Sequence, residues 1–208
     1  MKRITLTAAA MILLLAAAGC TTQHFIVPNP IVRQYQDPLP VAAGFLMGRS
    51  LRDQWYSQKS ARTRIDVPVG NVALRFAEAN LANAFQLPDI AHRPETRPAV
   101  RRDFYVIRYY DRRSNEGVLI KLNEIEFKIE GTTAFARLNF TLEDPEGREL
   151  FTKDYFGKGT PEQGQGILQK TIYAESNIEL STAAALTLIY QDLLQDIRDQ
   201  LSQQPLAE

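Results

Sequence analysis

The sequence predicts an α+β domain in which an antiparallel β-meander sheet is packed on one face by two helices, at about residues 71–86 and 176–201. Three patterns carry this expectation. Between residues 118 and 156 apolar and polar residues alternate with a period of two, in runs separated by turn-forming residues. Residues 72–86 instead repeat apolar side chains at spacings of three and four, and a longer stripe of the same period follows Ser176. The 208 residues contain one cysteine, so no internal disulfide framework is available and packing must hold the fold. With 24 Lys plus Arg against 24 Asp plus Glu, the chain is no bulk binder of polyanions.

The chain opens MKRITLTAAAMILLLAAAGC. Two cations, Lys2 and Arg3, precede an apolar run from Ile4 to Ala18 broken only by Thr5 and Thr7. A charged start, a short apolar centre and small residues before a processing site describe a secretory signal, here residues 1–19. The run is short of the about 20 apolar residues that span a bilayer. Ala17-Ala18-Gly19-Cys20 resembles the lipobox of bacterial lipoproteins, with Ala17 where that family prefers Leu. The resemblance implies that the Cys20 thiol receives a diacylglycerol, that cleavage makes Cys20 the first residue, and that its amine is acylated, typically with palmitate. By the same family's sorting rule, Thr21 and Thr22 in place of Asp imply lipid anchorage to the outer membrane, on its periplasmic face. Plain secretion with cleavage after Ala18 is the alternative. It leaves a lone reactive thiol in an oxidising compartment, which lipidation avoids. Each buried methylene contributes about 0.8 kcal/mol, so two or three chains anchor stably where one does not.

Residues 20–41 read as the lipidated cysteine and a proline-rich tether, with Pro28, Pro30, Pro38 and Pro40 biasing the backbone towards extended geometry. At ~3.1 Å per residue such a tether reaches up to ~60 Å. Its apolar stretches Phe25-Ile26-Val27 and Ile31-Val32 are expected to dock on the domain as an edge strand. Residues 42–203 form a single α+β domain. Residues 44–60 fit either a strand or a short helix. Ile65, Val67 and Val69 alternate with Arg64, Asp66 and Pro68 as a half-buried strand, and Asn71 is the expected N-cap of the first helix, which Pro88 ends. Pro88, Pro94 and Pro98 make residues 87–99 a loop, and Asp103–Tyr110 has strand composition.

In the meander the phase of alternation switches at Asn123-Glu124, the sign of a bulge. Asp144-Pro145-Glu146-Gly147 is a type I turn signal. The glycine-rich run GKGTPEQGQG at 157–166 lacks the Walker A and dinucleotide patterns and reads as a loop. Ser176-Asn177-Ile178-Glu179 is a capping box that starts the last helix, whose stripe runs Leu186, Ile189, Leu193, Ile197, Leu201.

Catalytic signatures are weak. Glu124, Glu126 and Glu130 fall on the polar face of a strand, no Gly-x-Ser-x-Gly elbow occurs, and His24 and His92 have no zinc-like partners, so neither an enzyme, a metal nor a cofactor is expected. The most suggestive cluster is basic. Arg101, Arg102, Arg108, Arg112 and Arg113, with Arg97, interleave with Tyr105, Tyr109 and Tyr110 and are the candidate binding residues. Their guanidinium forks suit lipid phosphates, lipopolysaccharide or a carboxylate-rich protein; charge guarding a strand edge is the competing and favoured reading. The compartment excludes nucleic acid. In layout, residues 62–201 resemble small α+β envelope lipoproteins, such as the auxiliary lipoproteins of lipid-trafficking ABC systems and the lipopolysaccharide-assembly lipoproteins. That resemblance implies a non-catalytic anchored protein that binds or scaffolds an envelope assembly or transport complex. A lipid carrier and a cell-wall hydrolase are the alternatives.

The two readings of the arginines move different observables. Replacing Arg101, Arg102, Arg112 and Arg113 by Gln is expected to raise self-association and leave binding to anionic vesicles unchanged, as for a charge-guarded edge. A monomeric variant that loses vesicle binding would establish a phosphate site instead.

Overall fold

The structure is a computed structural model, and it describes residues 21–39, 41–59, 63–81, 83–85, 104–106, 117–144, 146–169 and 176–203. Its elements in chain order are β1 (Thr21–His24), β2 (Ala43–Gly48), α1 (Arg49–Arg52), β3 (Tyr56–Lys59), β4 (Thr63–Val67), α2 (Val69–Leu81), β5 (Phe104–Val106), β6 (Val118–Glu130), β7 (Thr133–Glu143), β8 (Glu149–Gly159), α3 (Pro161–Gly164) and α4 (Asn177–Gln203). The α+β class stands, with the two helices and the meander where the periodicities put them.

The meander β6–β7–β8 is antiparallel throughout, and the phase switch is a register shift between Leu122 and Glu124. Gly131 closes the first hairpin at φ 62°, a left-handed conformation that costs glycine no Cβ clash. At the second, Gly147 N–H bonds the Asp144 carbonyl at 3.0 Å, and the Asp144 side chain accepts the Arg148 N–H at 2.8 Å. One face of β7 carries the buried Ala134, Ala136, Leu138, Phe140 and Leu142.

The expectation of one antiparallel sheet needs correction. The meander extends into a five-stranded sheet, β5-β2-β6-β7-β8, in which β2 runs parallel to β6. A second sheet, β1-β4-β3, pairs β1 parallel to β4. Parallel neighbours cannot be joined by a tight turn and need a long crossover. The chain between β2 and β6 supplies it, and α1, β3, β4 and α2 are built there. Residues 44–60 therefore hold both candidate structures, a strand and then one helical turn.

The first long helix begins at Val69, two residues before the expected cap, and ends at Leu81. Its early start is a packing effect. Gly70 sits against α1, where a Cβ would overlap the Leu51 carbonyl oxygen, and its N–H bonds Gln54 O at 3.2 Å. Its early end is a competition for backbone groups, since Ala84 O accepts from Leu39 N–H at 2.8 Å and Phe85 bridges Leu39.

The last helix starts at the expected box: Glu179 N–H donates to Ser176 Oγ at 3.2 Å and Ser176 N–H to Glu179 Oε2 at 2.8 Å. It lies on β7 and β8, with Leu186, Ile189, Tyr190, Leu193 and Ile197 buried. The glycine-rich loop expected at 157–166 is instead the end of β8 followed by α3. Cβ atoms on Gly157 and Gly159 would overlap the carbonyl oxygens of Ala185 and Ser181, so glycine there lets strand and helix backbones touch. Tyr190 crosses to α2 and donates from its hydroxyl to Ala73 O at 2.8 Å.

Residues Thr21–Val41, expected as a tether, form a strap along the domain. Phe25, Ile31, Arg33 and Leu39 donate N–H bonds to Asp66 O, Ile167 O, Ala79 O and Ala84 O at 2.8–3.1 Å, and Gln169 N–H returns one to Asn29 O at 2.9 Å. Val27, Leu39 and Val41 are buried in the common core. The exposed members of the expected docking stretches, Ile26, Ile31 and Val32, point away from it.

Leu193, on the inner side of α4, is fully buried. Leu193→Ala is expected to cost about 2–5 kcal/mol in urea unfolding, as a cavity-forming core truncation does; a loss under roughly 0.5 kcal/mol is the surface range and would place the stripe elsewhere.

Candidate functional site

Where β2 ends, the outer edge of β6 continues without a strand partner among the described residues. Groups from the crossover satisfy it: Gln54 Nε2 donates to Ile125 O at 3.0 Å, and the Tyr56 hydroxyl accepts from Ile129 N–H at 3.3 Å while its ring meets Phe127 edge-on. This seats the three-stranded sheet beside the second half of β6. Alternation then assigns its two faces. Tyr56, Ile65 and Val67 turn towards the core. The register pairs Thr22 with Arg64 and Lys59, and His24 with Asp66 and Ser57, which puts all six on the opposite face.

Asp66 is the centre of that face. It is only 4% exposed although it lies on the outward side, because its neighbours close over it. The Ser57 hydroxyl donates to Oδ1, Arg64 Nε donates to the same oxygen at 2.9 Å, and His24 Nδ1 stands 3.7 Å from Oδ2. Arg64 Nη2 also reaches Ser57 Oγ at 3.2 Å. The Ser57 hydroxyl and then the Arg64 guanidinium hold the Asp66 carboxyl below the usual carboxylate range, since both favour the charged form. Trp55 meets the His24 ring edge-on at 6.3 Å and is 56% exposed.

Serine, aspartate and histidine in one cluster invite comparison with a nucleophilic triad, but the order of contacts is wrong. In a triad the histidine lies between the serine and the acid and takes the serine proton. Here Asp66 lies between them, and the Ser57 proton already points at a carboxylate held in its charged form. The arrangement makes a neutralised polar platform rather than an activated hydroxyl.

A second polar array covers the helix-free face of the meander. Arg137 bridges Glu126 at 2.6 Å, Asp154 at 3.1 Å and Glu124 at 3.5 Å, and Asn139 donates to Asp154 at 2.7 Å. The acids expected there as solvated side chains are more than half exposed, Glu124 and Glu126 sharing one guanidinium and Glu130 pairing with Lys128. Both terminal nitrogens of Arg137 are engaged in this array, while its Nε is buried without a hydrogen-bond partner among the described residues. Among the described residues no three His, Cys, Asp or Glu side chains are grouped to hold a metal ion, and no helix is long and apolar enough to cross a membrane.

Cys20 and the candidate binding residues Arg101, Arg102, Arg108, Arg112 and Arg113 all lie outside the described residues. Sequence reading did not find the His24, Trp55, Ser57 and Asp66 grouping. Only the alternation of Arg64 and Asp66 against Ile65 and Val67 signalled an outward face; the rest needed two strand pairings with no local motif. The chain matches no protein-family model and no curated protein.

The depressed Asp66 carboxyl makes a pH prediction. Its folded pKa lies below its unfolded value, so its stabilising contribution is present above about pH 4, the ordinary Asp range, and is lost as pH falls through the folded value. In urea unfolding, Asp66→Asn is expected to be less stable than wild type at neutral pH, with the gap closing in acid. A gap that does not change with pH would show that Asp66 acts by shape alone.

Proposed function

We propose that this chain is a non-catalytic lipoprotein, held by Cys20 on the periplasmic face of the outer membrane, that binds or scaffolds an envelope assembly or transport complex. The observation that carries the reading is the Lys2-Arg3 start, apolar centre and Ala17-Ala18-Gly19-Cys20 end of the leader, directly followed by a chain that enters the fold at Thr21. A cysteine at the end of such a leader supports the reading that its thiol receives lipid.

The binding reading is favoured over the carrier by the helix–sheet interface. A carrier needs an apolar space of lipid width between its layers. Along Gly157–Gly159 the backbones of β8 and α4 are in contact, and Tyr190 and Leu193 fill the space beyond. It is favoured over the hydrolase by the contact order at Asp66 and by the Arg137 array, in which the carboxylates face a guanidinium and not a cleft.

Cys20→Ser tests the anchor. The variant is expected to leave the membrane fraction or to accumulate with its leader uncleaved, measured by fractionation and by intact mass. A variant that fractionates and migrates like wild type would sink the lipoprotein reading.

A further inference from the structure

We propose that the outward face of the β1-β4-β3 sheet lies flat against the phospholipid headgroups of the bilayer that holds the anchor, so that the domain sits on the membrane in one orientation. The inference rests on the lipidation of Cys20 proposed above and adds which surface meets the bilayer.

Chain geometry makes the first step. Cys20 is bonded to Thr21, and consecutive Cα atoms are about 3.8 Å apart. Thr21 is already paired with Thr63, and the pairing continues through Thr22, Gln23 and His24 to the bond from Phe25 N–H to Asp66 O at 2.9 Å. No slack separates the anchor from the folded sheet. The start of β1 then lies at headgroup depth, and the face of this sheet that is free to meet the bilayer beside it is the outer one. The inner face is committed to Val67, Ile65 and Tyr56 in the core.

The chemistry of the outer face makes the second step. Ile26 continues the alternation of Thr22 and His24, with half-buried Phe25 and buried Val27 on the other side, and at 72% exposure it is a large apolar side chain left in water. Beside it stand Trp55 and His24 in edge-on contact, with Lys59 and Arg64 along the next strands. An indole at headgroup level, an apolar side chain that water leaves on contact, and a cation such as Lys59 that meets phosphate suit an interfacial surface, while Arg64 is engaged with Asp66. The acid of the platform does not oppose this. Asp66 is covered, and its charge is met by Arg64 and Ser57. Asp53, near Trp55, is paired with Arg49 and Arg52.

Trp55 is the only tryptophan in the sequence, so it reports on this face without labelling. The full chain, produced with its leader in a diderm bacterium and purified from membranes, is placed in phosphatidylethanolamine–phosphatidylglycerol vesicles carrying a headgroup spin label. Intact mass first establishes whether Cys20 bears lipid. Trp55 emission is expected to shift to the blue and to lose roughly half its intensity or more, as for an aromatic ring at the interface. The control moves the probe, with Phe156→Trp in a Trp55→Phe background. Phe156 is 69% exposed on β8, the far edge of the larger sheet, and the relocated tryptophan is expected to be quenched little. A lipidated protein in which Trp55 is unquenched, or in which both positions are quenched alike, overturns the orientation and leaves the anchor standing. A protein with no lipid on Cys20 overturns the anchor and the orientation with it.

Discussion

The contact between the backbone of the last helix and the last strand of the meander is the constraint from which most of the fold follows. A helix on a sheet usually stands off by the length of its side chains, about 10 Å between layers. Gly157 and Gly159 on β8, facing Ser181 and Ala185 on α4, remove that spacing at one end of the helix. The helix then has to tilt or its stripe has to grow along its length, and the stripe grows: small residues Ser181 to Ala185 at the contact give way to Leu186, Ile189, Tyr190, Leu193 and Ile197. The wider end is where α2 enters, and the Tyr190 hydroxyl bonding Ala73 O satisfies the one polar atom this large side chain takes into the core. Burial pushes that hydroxyl up, so it stays a donor across the ordinary pH range. At the solvent side, Asp196 takes hydrogen bonds from Lys153 at 2.6 Å and the Tyr155 hydroxyl at 2.7 Å, which fixes the rotation of the helix over β8.

A second constraint starts from the other edge of the meander. The strand β6 is 13 residues long, and β2 pairs with only its first part, from Val118 to Leu122. The bulge falls immediately after, between Leu122 and Glu124, where the strand loses that neighbour. An open edge carries unpaired N–H and C=O groups that cost free energy if buried and invite another chain if exposed. Gln54 answers this with a side-chain donor and Tyr56 with an acceptor, and in doing so they bring the three-stranded sheet alongside. The small sheet is thus a consequence of strand-length mismatch in the larger one.

These two constraints differ in how well the sequence discloses them. The meander, its bulge, its Asp144–Gly147 turn and the capped last helix were all legible, because each depends on residues within a few positions of one another. The glycines at 157 and 159 were visible too, yet pointed to a loop. Glycine in a sequence reports missing bulk without saying what fills the space, and here a helix some 25 residues further along fills it. The parallel pairings of β2 with β6 and β1 with β4 left no local trace, since each joins segments separated by tens of residues. For the same reason the platform around Asp66 was invisible: His24, Ser57 and Asp66 come from three strands and share no spacing rule. The arginines chosen from the sequence, by contrast, stood out because they are neighbours in the chain.

The strap from Thr21 to Val41 shows why proline content alone does not make a tether. Proline removes a donor and stiffens its predecessor, which forbids a continuous strand but not isolated backbone bonds at the residues between. The N–H groups of Ile31, Arg33 and Leu39, each free of a proline ring, find carbonyls in three different parts of the fold: the turn after α3, the end of α2 and the residues beyond it. Phe25 adds β4. The prolines space these contacts and keep the segment extended enough to reach all four. A flexible linker would leave its own start free to move relative to the core. A strap hydrogen-bonded at four places in the fold ties the direction of the chain at Thr21 to the whole core.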